Sequence, residues 1–103
     1  MSKKIDKLEV WISYCNENSE CRDYSGRKIL YSAYNNRNSR YCWNIDHIRP
    51  HALGGTNKTC NLVPTHMETN DEKGDAFPHW EANGNKYKAI RTAKNCYDII
   101  RND

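Results

Sequence analysis

Two adjacent side chains, Asp46 and His47, carry the clearest chemistry in this sequence, a carboxylate beside an imidazole. An imidazole titrates near neutrality and can take a proton from water. A carboxylate offers an anionic oxygen to a hard cation. Two carboxamides follow in the same stretch: Asn61 lies fourteen residues after His47, and Asn70 nine after Asn61. An isolated Asp-His pair is usually accidental. The pair gains meaning here from its register with both asparagines and with Gly54-Gly55.

The elements that must position these groups can be read from Trp43 to Asp75. Trp43-Asn44-Ile45 is a short run of alternating apolar character that delivers the Asp46-His47 pair. Pro50 and Gly54-Gly55 force a loop, and Asn61-Leu62-Val63-Pro64 reads as a second short strand. Thr65 to Lys73 is helix-compatible, with Gly74 as its stop. The order is strand, loop, strand, helix. In a regular strand Asp46 and His47 point to opposite faces. Both reach one ligand only if the strand ends or bulges at Asp46.

The letters D-H-I-x-P, G-G, N-L-V-P and N-x-x-K-G-D, in this spacing, resemble the HNH nuclease motif, a ββα-metal site. The resemblance is strong over about a third of the chain and weaker upstream to Cys21. One letter departs, since the family's closing His is Asn70 here, a variant that resembles the HNH domain of RNA-guided CRISPR effectors. The resemblance implies a metal-dependent endonuclease that hydrolyses DNA and leaves 5′-phosphate and 3′-hydroxyl ends. His47 would be the general base, Asp46 and Asn70 the metal ligands, and Asn61 the residue that fixes the loop and orients His47. An all-oxygen pair with open positions favours Mg²⁺ or Mn²⁺, whereas a His in the last position would admit Zn²⁺ or Ni²⁺ more readily. Arg49 and Lys73 are the nearest cations for phosphate, with Lys58 a weaker candidate. His66, one helical turn before Asn70, is open to three roles: an additional ligand, a phosphate contact or a helix cap. His51 and His79 read as surface or packing residues.

Length and composition bound this reading. A chain of 103 residues is expected to form one domain, residues 1–103, with its motif core at 43–75. Mean hydropathy of −1.05 is low, but three Trp and seven Tyr supply apolar surface for a small core. No run of about 18 apolar residues exists, so no membrane helix is expected, and the Lys-bearing start lacks an apolar secretory segment. A cytoplasmic location, in a bacterial or phage-infected cell by the resemblance, is the expectation. Residues 22–58 carry seven Lys/Arg against two acids, residues 66–85 one Lys against five acids, and residues 86–103 five basic against two acidic. A basic first half around the Asp46-His47 pair suits a polyanion.

Outside the motif, Ile5, Leu8, Ile12 and Cys15 fall at helical spacing with Trp11 beside them, predicting an amphipathic helix over 3–17. Residues 28–34 read as extended and 35–40 as a polar loop near phosphate. Residues 76–85 read as a connector whose Trp80 packs on the core. Residues 86–101 carry Ala89, Ile90, Ala93, Cys96, Tyr97 and Ile100 on one stripe and read as a closing helix. The fold expected is thus α+β, a ββα-metal core flanked by an N-terminal and a C-terminal helix.

Five cysteines form no C-x-x-C pair, and without a secretory segment reduced thiols are the default. Many HNH proteins hold a structural zinc on two C-x-x-C pairs flanking the motif. The corresponding positions here are Cys21, Tyr24, His66 and Thr69, and neither phenol nor threonine hydroxyl is a usual zinc ligand. Only Cys15 or Cys42 could complete an unusual set, so structural zinc is not expected. Two alternatives stand beside the DNA endonuclease: a catalytically weak nucleic-acid-binding module that keeps the fold, and a nonspecific DNase or RNase toxin. A chain this short implies either low sequence specificity or a protein partner that supplies it.

Overall fold

The computed structural model describes residues 4–103 as a small α+β protein of two helices and three small antiparallel sheets. Helix α1 runs Lys7–Cys15, followed by strands β1 (Glu20–Arg22), β2 (Lys28–Leu30) and β3 (Trp43–His47). Then come β4 (Leu62–His66), helix α2 (Met67–Lys73), and strands β5 (His79–Ala82), β6 (Asn85–Ala93) and β7 (Cys96–Arg101). β1 pairs with β2, β3 with β4, and β5-β6-β7 form a three-stranded sheet.

Helix α1 begins where Asp6 Oδ1 accepts from the amides of Leu8 and Glu9, and ends at Asn16 with φ of 59°. It is shorter than the 3–17 expected, and Lys3 lies outside the described residues. Its buried face also differs from the expected stripe. Val10, Trp11 and Cys15 are buried, whereas Leu8 and Ile12 are 49% and 40% exposed. Trp11 decides the orientation: its indole packs against Trp43 and Tyr31, and its Nε1 donates to the Asn18 carbonyl at 2.8 Å. With Ile29 these residues form one core cluster, where truncating a Trp to Ala costs about 3–5 kcal/mol. A second cluster joins Ile48, Val63 and Tyr97, and a third joins Trp80, Ala82 and Tyr87.

The closing helix expected over 86–101 is instead the β6–β7 hairpin. Tyr87 and Ala89 face the second and third clusters, as do Tyr97 and Ile99, which is a period of two and not of 3.6. The residues on the expected helical stripe therefore divide between both faces of a sheet. The 76–85 connector likewise contains β5 and a two-residue turn. Asn83 and Gly84 both have positive φ, 49° and 78°, and Ala82 pairs with Asn85. Asn-Gly is the sequence favoured by such a turn. Trp80 lies in β5 and is buried, as expected.

The reduced-thiol expectation also fails. Disulfides join Cys15 to Cys21 and Cys60 to Cys96, with Cα atoms 5.6 and 4.8 Å apart, and Cys42 is left as a buried free thiol. The first closes the turn between α1 and β1. The second ties the start of β7 to the 3-10 turn Thr59–Asn61 that precedes β4. Both pairings depend on tertiary approach, which cysteine spacing does not reveal.

Candidate functional site

Strand β3 is regular to its end. Asp46 pairs with Val63 and His47 with Leu62 in an unbroken antiparallel ladder. No bulge turns Asp46 and His47 to the same face, so they leave the strand on opposite sides. Asp46 goes to the α2 side and His47 to the loop that follows.

The loop from Ile48 to Cys60 is closed by Asn61, which is fully buried. Its Oδ1 accepts from the Arg49 amide at 2.9 Å, and its Nδ2 donates to the carbonyls of Arg49 and Thr56 at 3.2 and 2.8 Å. Its own carbonyl accepts from the Ile48 amide at 2.8 Å. One carboxamide thereby pins both ends of the loop. Gly55 permits the closure, since a Cβ there would overlap the Arg49 carbonyl oxygen.

On the loop side, His47 Nε2 is 2.8 Å from Asn57 Oδ1, and His51 Nε2 is 2.7 Å from the same oxygen. The two rings are 4.0 Å apart between centroids. An amide oxygen only accepts, so each ring carries its proton on Nε2 and keeps a lone pair on Nδ1. Burial is the main cause that lowers the His47 pKa from its ordinary value. The Asn57 hydrogen bond opposes this, and His51 and Lys73 add to it. The geometry leaves His47 Nδ1 without a hydrogen-bond partner among the described residues. Neither His51 nor Asn57 was singled out from sequence as part of this group. A second imidazole four residues after His47 and an asparagine right after the Gly-Gly-Thr turn were the available signals.

On the helix side, Asp46 is 8% exposed, and its Oδ2 has no hydrogen-bond partner. Lys73 Nζ lies 3.4 Å from that oxygen, an ion pair longer than a good hydrogen bond. Burial pushes the Asp46 carboxyl up to about 6, against the opposing pull of Lys73. Asn70 is half-buried on α2, one turn before Lys73, and its side-chain amide has no partner among the described residues. Asp46 and Asn70 stand on adjacent elements and offer oxygen donors of the type a hard divalent cation takes, and the unpartnered Asp46 oxygen faces Lys73. Among the described residues no three His, Cys, Asp or Glu converge, so such an ion would depend on water and substrate oxygens for its other ligands.

The expected phosphate cations are placed differently from the sequence reading. Lys73 is 2% exposed, donates to the His47 carbonyl at 3.3 Å and lies over the Trp80 ring, so it faces the interior and not a substrate. Arg49 donates to the Leu53 carbonyl at 2.7 Å and the Tyr97 hydroxyl at 3.1 Å, stapling the loop to β7. Lys58 is exposed, with its Nζ 3.4 Å from the Lys94 carbonyl.

His66 is the N-cap of α2: its Nδ1 accepts from the Glu68 amide at 3.0 Å, and its Nε2 donates to the Arg40 carbonyl at 2.7 Å. Both ring nitrogens are engaged, which leaves no lone pair for a metal. The four zinc positions do not fit zinc either. Cys21 is in a disulfide, the Tyr24 hydroxyl accepts from Trp80 Nε1, and the Thr69 hydroxyl meets Arg27 and Ser25. Asp23 cross-links the same regions instead. Its Oδ1 accepts from the Ser25 amide and hydroxyl and from the Arg27 amide, while its Oδ2 accepts from the His66 amide at 3.0 Å. Sequence reasoning missed Asp23, although Asp-Tyr-Ser-Gly is a turn signature.

A family model described as HNH endonuclease matches residues 23–79. No curated protein and no solved structure matches the chain. Among the described residues no helix is long and apolar enough to cross a membrane.

Proposed function

Because this chain belongs to the HNH endonuclease family, we propose that it hydrolyses DNA phosphodiester bonds with a divalent metal. In this reading β3, β4 and α2 are the ββα-metal core, and residues 1–103 act as one nuclease domain. The observation that carries it is the placement, at the end of β3, of His47, its Nε2 held by Asn57, and of Asp46, with an unpartnered buried oxygen, on the strand's other face.

For both groups to serve one scissile phosphate, it would have to lie across the end of β3, since Asp46 and His47 leave that strand on opposite faces. Asn57 holds the His47 proton on Nε2, so Nδ1 takes a proton from the attacking water. Asn61 keeps the loop closed and thus keeps Asn57 within reach of His47. Asp46 and Asn70 would hold Mg²⁺ or Mn²⁺, which when bound supplies Lewis-acid stabilisation of charge on the leaving oxygen. The products would carry 5′-phosphate and 3′-hydroxyl ends.

Nicking of supercoiled plasmid, with and without Mg²⁺ or Mn²⁺ and beside an RNA substrate, tests the proposal. Metal-dependent cleavage of DNA is the expected result. No cleavage with either metal would refute it, and cleavage of RNA alone would favour the toxin-like ribonuclease.

A second reading, a binding module with weak catalysis, is favoured by one observation. The Lys73 ammonium already neutralises Asp46 on the side where a metal would bind. DNA binding without cleavage in the same assay would select it. By the resemblance we place the protein in the cytoplasm of a bacterial or phage-infected cell, where persistent disulfides are rare. Counting free thiols in protein isolated under alkylating conditions tests that location: a single free thiol, Cys42, would argue against it.

A further inference from the structure

We propose that the β6–β7 hairpin is a DNA-binding arm, with Arg91 and Lys94 beside Lys58 contacting backbone phosphates that flank the cleaved bond. The proposal rests on the nuclease reading and assigns part of the substrate contact to a segment beyond the residues that match the family.

The first observation is one of charge accounting. Of the three cations expected to meet phosphate, Lys73 is buried against Asp46, and Arg49 is spent on Leu53 and Tyr97. Elsewhere Arg27 pairs with Glu68 and Glu72, Lys28 with Glu20, and Arg37 with Asp71, while Lys7, Arg22 and Arg40, also without an acidic partner among the described residues, are scattered over three separate segments. On the hairpin, Lys86, Lys88, Arg91 and Lys94 have no acidic partner among the described residues, and only Arg101 is paired, with Asp103. Unneutralised cations on one element favour a polyanion over a neutral partner.

The second observation is placement. The hairpin tip is bound covalently to the catalytic loop by Cys60–Cys96, with Cα atoms 4.8 Å apart. Lys58, the neighbour of Asn57 in sequence, donates to the Lys94 carbonyl at 3.4 Å. Asn57 in turn contacts His47, so a short chain of contacts leads from the proposed base to the tip. The ladder shifts register between Arg91 and Ala93. Such an irregularity bends a strand and re-aims its side chains. Arg91 Nε donates to the carbonyl of Ala93, the residue before Lys94, at 3.4 Å. Both side chains are exposed.

The test is equilibrium binding of a fluorescent 20-bp DNA duplex without divalent metal, across a salt series. The double variant Arg91→Gln/Lys94→Gln should bind about tenfold or more weakly at ~0.1 M salt, and its log–log salt slope should fall by about two. The charge reversal Arg91→Glu/Lys94→Glu should weaken binding further. Lys28→Gln, on the separate β1–β2 ribbon and already paired with Glu20, serves as the control and should leave binding unchanged. Circular dichroism checks that each variant is folded. Wild-type affinity and slope in both double variants would overturn the arm while leaving the nuclease reading intact. A wild-type protein that binds no duplex would bring down both.

Discussion

The Asp46 carboxylate and the Lys73 ammonium lie 3.4 Å apart in the interior, between the end of β3 and the last turn of α2. Neither is more than 8% exposed, and no other group hydrogen-bonds the Asp46 oxygen that faces Lys73. A buried pair of this kind is costly to break, because removing one partner leaves the other charge uncompensated. It also keeps an anionic oxygen beside the proposed cation site when no metal is bound.

The Asp46 pKa, raised from 3.8 to about 6, has a consequence for stability. Between those values the folded state binds more protons than the unfolded state, so this group's contribution falls as pH rises from about 4 to about 6. Chemical denaturation across that range should show the slope, and Asp46→Asn should remove it. Lys73→Met should cost about 3–5 kcal/mol at neutral pH and recover part of that below pH 5, where Asp46 is protonated. A pH-independent loss in Lys73→Met would show that the two groups are not coupled.

His47→Ala should reduce DNA cleavage by about 10²-fold or more while leaving duplex binding largely intact. Asn57→Ala should free the His47 ring to populate both tautomers, whereas the wild type holds its proton on Nε2. Nitrogen-15 NMR of the imidazoles reads this directly, and cleavage should fall about tenfold in parallel. If the wild-type ring carries its proton on Nδ1, Asn57 does not have this role.

Asp46→Ala and Asn70→Ala should each raise the concentration of Mg²⁺ or Mn²⁺ needed for half-maximal cleavage. Asn70→His should shift preference toward transition metals, since imidazole binds them better than an amide oxygen does. A metal titration with an unaltered profile in Asn70→His would mean that this side chain does not touch the ion.

Reduction of the disulfides should lower stability unequally. The Cys60–Cys96 bridge spans 36 residues and Cys15–Cys21 spans 6, so loop-closure entropy assigns them about 4 and about 2 kcal/mol. Cys96→Ser should therefore lower the melting temperature more than Cys21→Ser does. It should also weaken cleavage, because it releases the hairpin from the turn that carries Asn61. The opposite order would place the larger constraint in the α1–β1 turn.

The sequence by itself determined the centre of the molecule. A strand at Trp43–His47, a loop after Pro50, a strand through Leu62-Val63-Pro64 and a helix stopped by Gly74 form where local periodicity and turn chemistry put them, but Asn61 stands in a 3-10 turn, and Thr65 and His66, expected in the helix, prolong the strand. These signals act over a few residues, so the elements that carry Asp46, His47 and Asn70 were legible without coordinates. The hairpin turn at Asn83-Gly84 was equally local, but the apolar stripe after it was read with a helical period.

Tertiary structure alone decided how the charged and polar groups are used. Lys73 turns inward because α2 packs its face on β3, where Asp46 must be neutralised. Arg49 is drawn off by Tyr97, 48 residues away, and the cysteines pair across chain segments brought together by folding. Asn57 becomes the shared acceptor of His47 and His51 only once Asn61 closes the loop. Each of these depends on which surfaces meet, and that follows from burial of Trp11, Trp43, Val63, Trp80 and Tyr97 together, not from the letters beside any one of them.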